Sequence, residues 1–274
     1  AASKKVITIG LCFPSADHGW LGAVIQDAQD EAKAEGIKFV VTTADNPNKQ
    51  ANDVDDLITK KVDVIIMDPI ESAALTTSAD KIKAANIPLV VFDREIENDS
   101  FTALVKGDNK GVGINAGKYI GAELQGTGNV VVIEGVPCSV TTLRSDGFKE
   151  ALKSFPNIKV VATQSGDFQK EKSLNVMQNI LQSQKKIDAV YTEDDEMALG
   201  VIQAIKEAKR TDIKVVTGCG GDKDAYKLLK DSDPLFKATF LYSPLMVKDA
   251  VKLGIQIAKG TKPAEKTKII DATR

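Results

Sequence analysis

The chain has 274 residues, of which 36 are Lys or Arg and 38 are Asp or Glu, so its formal net charge is −2 at pH 7. This length suits one large domain or two smaller ones. The near-neutral charge argues against a nucleic-acid-binding protein, which would carry a basic stripe. No apolar run approaches the length of a membrane span, which predicts a soluble protein, and a hydrophobic content of 43% argues against disorder.

The cysteines and the N-terminus carry limited information. Cys12, Cys138 and Cys219 are widely spaced, allow at most one disulfide and form no cluster with the single histidine that would suit zinc. The sequence therefore predicts no metal and no cofactor. Small residues precede the first apolar segment, as expected after removal of a signal peptide, although a trimmed chain would look the same.

Short apolar segments typical of strands alternate along the chain with segments of helical periodicity. In the first half, strands are predicted at residues 6–13, 38–43, 64–67 and 87–92, and helices at 20–34, 50–61 and 72–85. After residues 102–107 the alternation restarts, with strands at 129–134, 159–162, 189–192 and 214–217 and helices at 111–124, 143–154, 170–183 and 197–208. Strands this apolar are buried on both faces, which is typical of parallel sheets in α/β folds.

The two halves also resemble each other in sequence. The segment Lys61-Val62-Asp63-Val64-Ile65 recurs as Lys186-Ile187-Asp188-Ala189-Val190, each time after an amphipathic helix. An acidic segment follows each of the two strands, at residues 68–73 and 193–198. Chance similarity between two short amphipathic units is the alternative. We favour two similar doubly wound lobes of about 110–130 residues each, a normal domain size.

Ligands of open α/β sheets bind beyond the carboxyl ends of the strands, so the side chains found there are candidate contacts. Arginine is scarce in this chain, and a guanidinium offers a rigid fork of donors that suits hydrogen bonding at such a position. Carboxylates, arginines and aromatic rings together suit a polyhydroxylated ligand, whose hydroxyls need partners and whose ring needs flat apolar surfaces. The candidates at or just past predicted strands are His18, Trp20, Asp93, Arg94, Arg144, Phe168, Asp194 and Tyr242.

Six of the eight candidates also have a purely structural interpretation. Trp20 and Phe168 are residue types often found in cores. His18 and Asp194 suit the capping of the helices that follow them, and the Asp93-Arg94 pair suits a surface ion pair. Their joint placement on the same side of two sheets favours ligand binding.

Six segments together resemble the ribose-binding-protein family, the periplasmic solute-binding proteins of carbohydrate ABC transporters. They are Ala16-Asp17-His18-Gly19-Trp20, Phe92-Asp93-Arg94, Gly107-Asp108-Asn109, Leu143-Arg144-Ser145-Asp146-Gly147-Phe148, Leu174-Asn175-Val176-Met177-Gln178-Asn179 and Asp194-Asp195-Glu196-Met197-Ala198-Leu199-Gly200. The likeness runs essentially end to end. It implies an α/β fold with two doubly wound parallel-sheet lobes joined by a three-crossing hinge, which enclose a sugar when they close.

The resemblance also implies the division of the chain and its surroundings. The N-terminal lobe is expected to comprise residues 1–107 plus 243–269, and the C-terminal lobe residues 108–242 plus 270–274. The hinge crossings are expected near residues 106–109, 241–244 and 268–271. The expected partner is the membrane permease of an ABC transporter, with no nucleic acid, and the protein is expected to be a periplasmic monomer secreted through a cleaved signal peptide.

Carried over residue by residue, the family's ligand contacts fall on all eight candidates named above. The chain departs from ribose binders in having His18 and Asp194 for two Asn, Leu21 for a Phe and Tyr242 for a Gln. Where the family usually has a ligand-binding Asp in a Phe-Asp-Gly turn, this chain has Gly218-Cys219-Gly220-Gly221-Asp222. Whether Cys219, Asp222 or the backbone replaces that carboxylate stays open.

The missing Asp normally holds hydroxyls around the anomeric carbon of ribose. A cyclitol has no anomeric carbon, and several segments, including Tyr242-Ser243-Pro244, look most like myo-inositol-binding members. We therefore expect myo-inositol as the ligand. Ribose or another aldopentose or aldohexose is the alternative.

Other classes of protein have weaker support. An enzyme is not expected, since no GxGxxG follows the first strand, no GxxxxGK[ST] occurs and no nucleophile elbow accompanies His18. Asp194 and Asp195 lack a third metal ligand. The effector-binding core of a lac-repressor-type regulator shares the fold. Such a regulator would need a helix-turn-helix before the first strand, so an upstream DNA-binding segment in the full reading frame would favour it.

Overall fold

The computed structural model describes residues 6–16 and 19–270. They form two compact units. Lobe 1 comprises the described residues up to Gly107 together with Pro244–Ile270, and lobe 2 comprises Asp108–Ser243. Each lobe contains one parallel sheet with flanking helices, which confirms the predicted fold class.

The elements alternate along the chain as expected for such a fold. The strands are β1 (Thr8–Pro14), β2 (Lys38–Ala44), β3 (Val64–Met67), β4 (Leu89–Phe92), β5 (Ala103–Gly107), β6 (Thr127–Glu134), β7 (Asn157–Ser165), β8 (Ala189–Thr192), β9 (Val215–Gly220), β10 (Phe236–Leu241) and β11 (Thr267–Ile270). The helices are α1 (Gly19–Ala34), α2 (Pro47–Thr59), α3 (Ser72–Ala84), α4 (Asn109–Glu123), α5 (Ser139–Leu152), α6 (Lys170–Ser183), α7 (Asp195–Glu207), α8 (Lys223–Lys230) and α9 (Met246–Ala258).

The two sheets share one topology. The strand order is β11-β5-β4-β3-β1-β2 in lobe 1 and β10-β9-β8-β6-β7 in lobe 2. Strands β1 to β5 therefore correspond, in chain order, to β6 to β10, and β11 is an additional strand paired with β5. The central strands β3, β4 and β8 are buried along their whole length, as their apolar sequences require.

The repeated segment has the same role in each lobe. Asp63, just before β3, accepts a hydrogen bond through Oδ2 from the backbone N–H of Thr8 at the start of β1, at 2.8 Å. Asp188, just before β8, accepts the equivalent bond from the N–H of Asn129 in β6, at 2.9 Å. The backbone N–H of each Asp also donates to the carbonyl of that same partner residue, at 2.8 Å. The similarity of the two segments therefore reflects equivalent structural positions.

Two helices begin three or four residues earlier than the sequence pattern predicts. Helix α2 begins at Pro47 because Asn46 caps it, its side chain accepting from the N–H of Lys49 at 2.9 Å. Helix α5 begins at Ser139, which places Arg144 in its second turn rather than at its start.

Three further observations concern the described part of the chain. No helix within it is long and apolar enough to cross a bilayer. No group of three or more His, Cys, Asp or Glu side chains among these residues is placed to hold a metal ion. All three cysteines fall inside the described ranges, where they are buried and none forms a disulfide.

Candidate functional site

Three aromatic rings stack at the carboxyl end of the lobe 1 sheet. The rings of Phe13 in β1 and Phe92 at the end of β4 have centroids 5.6 Å apart and are almost parallel. Trp20, in the first turn of α1, lies 6.4 Å from Phe92 at an interplanar angle of 9°. Both phenylalanines are fully buried, whereas Trp20 is only partly buried. Trp20 is therefore a supported ring with the geometry to cover an apolar face of a ligand.

The two candidates after β4 are buried. Asp93 is 4% exposed and Arg94 is 6% exposed, which argues against a surface ion pair. Arg94 donates through Nη1 to the carbonyl of Ile70 at 3.0 Å, and its Nε lies 3.9 Å from Oδ1 of Asp68. Asp93 has a φ of 56°, in the left-handed region that non-glycine residues rarely adopt. Such a conformation persists where the surrounding structure imposes it and is common at functional sites.

Asp68, directly beyond β3, lies beside Arg94. It was not among the ligand contacts predicted from the sequence. Its side chain is completely buried, and neither carboxyl oxygen makes a hydrogen bond of good geometry in the described part of the chain, although the backbone N–H of Arg94 is close enough to lower the pKa of this carboxyl. Burial raises the pKa of Asp68 well above its usual value; Asp93 adds to this effect and the guanidinium of Arg94 opposes it. An Asp that directly follows a wholly apolar strand was the sequence signal for this residue.

Gln50, a fully buried residue of α2, holds the turn in which Asp68 lies. Its Nε2 donates to the carbonyls of Asp68 at 2.7 Å and Cys12 at 3.2 Å, and its Oε1 accepts from the N–H of Ile70 at 2.8 Å. All of these bonds go to the main chain. Gln50 therefore orders the backbone of the turn and leaves the Asp68 carboxyl to other partners.

In lobe 2, two of the candidate residues, Arg144 and Tyr242, contact each other. The guanidinium carbon of Arg144 lies 4.6 Å from the centroid of the Tyr242 ring, a cation–π contact. Arg144 also donates through Nε to Oδ1 of Asn109 at 2.9 Å and through Nη1 to the carbonyl of Glu193. Asn109 in turn donates through Nδ2 to the hydroxyl of Tyr242 at 2.9 Å. In the sequence Asn109 stands out only as part of a family segment, whereas in the structure it links these two residues.

Close packing of α4 against α5 places Asn109 beside Arg144. A Cβ atom on Gly113 would lie 2.0 Å from the carbonyl oxygen of Arg144, and one on Gly147 would lie 2.2 Å from that of Lys110. Only glycine permits the two backbones to approach this closely.

Glu193, beyond β8, is fully buried and bonded within its own lobe. Its Oε2 accepts from the N–H of Gly135 and its Oε1 from the hydroxyl of Ser145, both at 3.0 Å. The Ser145 hydroxyl also lies 2.6 Å from Oε1 of Glu134. One hydroxyl proton cannot serve both carboxylates, so this arrangement favours a further proton on Glu193. Burial raises the pKa of Glu193 to about 7, opposed by the bond from Gly135 and by Arg144.

Asp194 caps helix α7, as its structural interpretation proposed. Its Oδ1 accepts from the N–H of Met197 at 2.8 Å. Burial raises the pKa of Asp194 to about 8, and neighbouring Asp195 adds to this effect. The cap leaves the ligand contact of Asp194 as a prediction.

The Asp195 side chain accounts for the presence of glycines at the end of β9 and just after it. Its Oδ2 accepts from the backbone N–H groups of Gly221 at 2.8 Å and Asp222 at 2.9 Å, and from the hydroxyl of Thr239 at 2.9 Å. A Cβ on Gly218 would lie 2.1 Å from Oδ1 of Asp195, so this carboxylate and the glycine-rich segment fit each other.

Cys219 and Asp222, the two side chains that could replace the missing ligand-binding Asp of the family, have different surroundings. Cys219 is buried at the carboxyl end of β9, and burial raises the pKa of its thiol to about 12, so the thiol is neutral. The Asp222 side chain caps α8, its Oδ1 accepting from the N–H of Asp224 at 2.7 Å. The carboxylate of Asp222 therefore has a structural role, whereas Cys219 lies near the carboxyl end of β9.

Phe168 is buried in the core of lobe 2 and has a φ of 59°. Its ring lies against Gly135, where a Cβ would come within 1.9 Å of the ring. Packing in the core thus accounts for the burial of the Phe168 ring. The contact of this ring with a ligand remains a prediction. His18 lies outside the described residues.

Comparisons with known proteins agree with this architecture. A family model for the periplasmic binding protein domain matches residues 9–262. The ribose import binding protein of Bacillus subtilis is 36% identical over 233 residues, which cover 84% of this chain and 75% of that protein. This relative is an import binding protein rather than an enzyme.

Solved structures match both lobes. The crystal structure of a galactofuranose binding protein has a TM-score of 0.91 and 31% identity, covering 97% of this chain and 93% of that one. A second structure is that of an ABC transporter solute binding protein from Bacillus halodurans C-125 with bound myo-inositol. Its TM-score is 0.89, and the match covers 99% of this chain and 94% of that one. Because the two sequences are only 22% identical, this match shows the fold alone. The chain therefore belongs to the periplasmic binding protein family and has the two-lobe fold of its ribose-binding type.

Proposed function

We propose that the protein is the solute-binding component of a carbohydrate ABC importer and that it binds a small polyhydroxylated molecule, with myo-inositol as the first choice. The observation that carries this proposal is the set of buried polar side chains at the carboxyl ends of the strands in each lobe. Lobe 1 contributes Asp68, Asp93 and Arg94 beside the Trp20 ring. Lobe 2 contributes the linked pair Arg144 and Tyr242.

These groups match the chemistry of a polyol. A hydroxyl both donates and accepts, so carboxylates accept from it while guanidinium groups donate to it. A buried polar group that stays unpaired costs free energy. A ligand with several hydroxyls would therefore be held through many directed bonds, and the Trp20 ring would cover its C–H face. His18, Phe168 and Asp194 are proposed contacts by resemblance.

The choice of a cyclitol rests on the residues at the carboxyl end of β9. The neutral thiol of Cys219 offers only weak hydrogen bonding where the family resemblance places a carboxylate for the anomeric hydroxyls. A ring without an anomeric carbon has no need of that carboxylate. Ribose is the second candidate, because a ribose import binding protein is 36% identical to this chain.

A thermal-shift panel of myo-inositol, ribose, xylose, glucose, galactose and fructose tests the proposal. A ligand at a hundredfold excess over its Kd stabilises the folded state by about 2.7 kcal/mol. We expect the largest rise in melting temperature with myo-inositol. A larger rise with ribose or another aldose would contradict the cyclitol assignment and leave the importer role in place, whereas no rise with any of the six would contradict polyol binding.

The proposed role places the protein outside the cytoplasmic membrane as a monomer, after cleavage of a signal peptide, with a membrane permease as its partner. Cell fractionation with an antibody to the protein tests the location. Co-purification of a permease with the ligand-loaded protein, compared with the unloaded protein, tests the partner.

A further inference from the structure

Three side chains of lobe 2 form a hydrogen-bonded chain that runs from Glu193 through Ser145 to Glu134. The Oγ atom of Ser145 lies 3.0 Å from Oε1 of Glu193 and 2.6 Å from Oε1 of Glu134. The other carboxyl oxygen of Glu193 accepts from the N–H of Gly135 at 3.0 Å. A serine hydroxyl has one proton to donate and two lone pairs that accept. Both carboxyls can therefore bond to Ser145 only if one of them is protonated and donates to Oγ.

The distances and the burial identify the protonated carboxyl. A hydroxyl that donates to an ionised carboxylate makes a short bond of about 2.5–2.7 Å. The short contact of Ser145 is the one with Glu134, and the longer contact is with Glu193. Glu193 is fully buried, whereas Glu134 is only partly buried. Because burial disfavours the charged form of a carboxyl, both observations place the proton on Glu193.

The titratable groups around Glu193 come from α5, β6, β8 and β9. Burial raises the pKa of Glu193 to about 7; its hydrogen-bond partners and Arg144 oppose this effect, and Glu134 adds to it. Burial also raises the pKa of Cys219 to about 12 and that of Tyr191 well above its usual value, so these two groups are neutral near pH 7. The next two residues of the chain, both Asp, direct their carboxyls to the start of α7 and to the turn after β9.

We infer that lobe 2 carries one proton on Glu193 at neutral pH, held by a hydrogen-bond relay through Ser145 to Glu134, and that loss of this proton makes the lobe less stable. Without the proton, two carboxylates face one hydroxyl, and a buried acceptor loses its partner. The carbonyl of Glu193 accepts from Nη1 of Arg144, so this pH-sensitive switch lies within the candidate site. The switch belongs to the free protein and does not depend on which ligand binds.

The direction of the pH dependence follows from the raised pKa. Between 4.5, the usual value for Glu, and about 7, the folded state retains a proton that the unfolded state has lost. The stability that this proton provides is fully present below the unfolded pKa and is lost as the pH rises through the folded pKa. The free energy of unfolding should therefore fall across this range.

Urea unfolding of the wild-type protein and of Glu193→Gln at about pH 5 and about pH 8 tests the inference. A glutamine accepts from Gly135 and donates to Ser145 as the protonated acid does, but it does not titrate. The ratio of the unfolding equilibrium constants, wild type over variant, should rise at least about tenfold between these pH values, since the other buried acids are present in both proteins. Glu171→Gln is the control, because it removes an exposed acid of α6, and it should keep the wild-type pH dependence.

A second variant separates the relay from burial alone. In Glu134→Gln the Ser145 proton becomes free to serve the Glu193 carboxylate, so the transition should move down by about one pH unit or more. Infrared spectra at about pH 6 need no unfolding, and the band of a protonated carboxyl should weaken in both variants. Equal pH dependence in wild type and Glu193→Gln, or an infrared band unchanged in both variants, would overturn the inference. A transition that stays in place in Glu134→Gln would overturn the relay through Ser145.

Discussion

Arg144 shows how one side chain can organise the candidate site of lobe 2. Of the five N–H donors of a guanidinium, one is directed at Asn109 and one at the carbonyl of Glu193, while the face of the group lies on Tyr242. Arg144 therefore positions its neighbours in addition to its proposed contact with the ligand.

The Trp20→Ala variant tests the aromatic surface of lobe 1. Removing the ring that stacks on Phe92 should lower affinity for the cognate polyol by more than about 1 kcal/mol, because the C–H face of the ligand loses its cover. Isothermal calorimetry measures the change, and circular dichroism checks the fold. Tyr226→Ala, which removes an exposed ring from α8, should bind as wild type. Unchanged binding by Trp20→Ala would remove this residue from the site.

Sequence reasoning finds single residues at strand ends more easily than the pairs that they form. Asp93 and Arg94 are recognisable because they follow an apolar strand. The partner of Arg94 is not recognisable, since Asp68 follows a different strand and approaches it only through the sheet order. Asn109 is likewise 35 residues from Arg144, and their contact depends on how closely α4 and α5 pack.

At the scale of elements, that packing depends on two glycines that face carbonyl oxygens of the opposite helix. A methyl group at Gly147 would lie 2.2 Å from the Lys110 carbonyl oxygen. Backbone atoms cannot rotate away as a flexible side chain can, so the helices would have to separate.

Gly147→Ala should therefore lower the free energy of unfolding by about 1–3 kcal/mol and weaken ligand binding by displacing Arg144. Urea unfolding measures the first effect and calorimetry the second. Gly254→Ala is the matched control, because a Cβ there would meet only side-chain carbons at 3.5 Å or more. Equal stability of the two variants would contradict the tight α4–α5 contact.

The elements that sequence patterns predict best are the buried ones. Strands β3 and β8 have the predicted bounds because every residue in them is buried and only Thr192 at the end of β8 is polar apart from the Tyr191 hydroxyl. The edge strand β7 extends over Asn157–Ser165, well beyond the predicted 159–162, because its exposed positions outside that range are polar and carry little strand signal. Helix α9 and strand β11 return to lobe 1 through contacts that are distant in sequence, and only the family resemblance indicated their place.

At the scale of the whole molecule, the proposal that both lobes contact one ligand predicts a conformational response, because a ligand that contacts both would stabilise a closed state. We expect small-angle scattering to show a smaller radius of gyration with saturating myo-inositol than without ligand. Addition of a sugar that gives no thermal shift is the control. Identical values with and without a ligand that does shift the melting temperature would indicate a rigid protein.

The matched aspartates Asp63 and Asp188 have a consequence for how this protein can change its specificity. Each one links the amino-terminal ends of two neighbouring strands through a hydrogen bond. The candidate contacts lie at the other end of these strands, the carboxyl end. These hydrogen bonds therefore fix the strand alignment at the end of the sheet away from the residues proposed to contact the solute. New ligand preferences can therefore be engineered one lobe at a time by exchanging the residues that follow β3, β4, β8 and β9, with the two aspartates retained as common anchors.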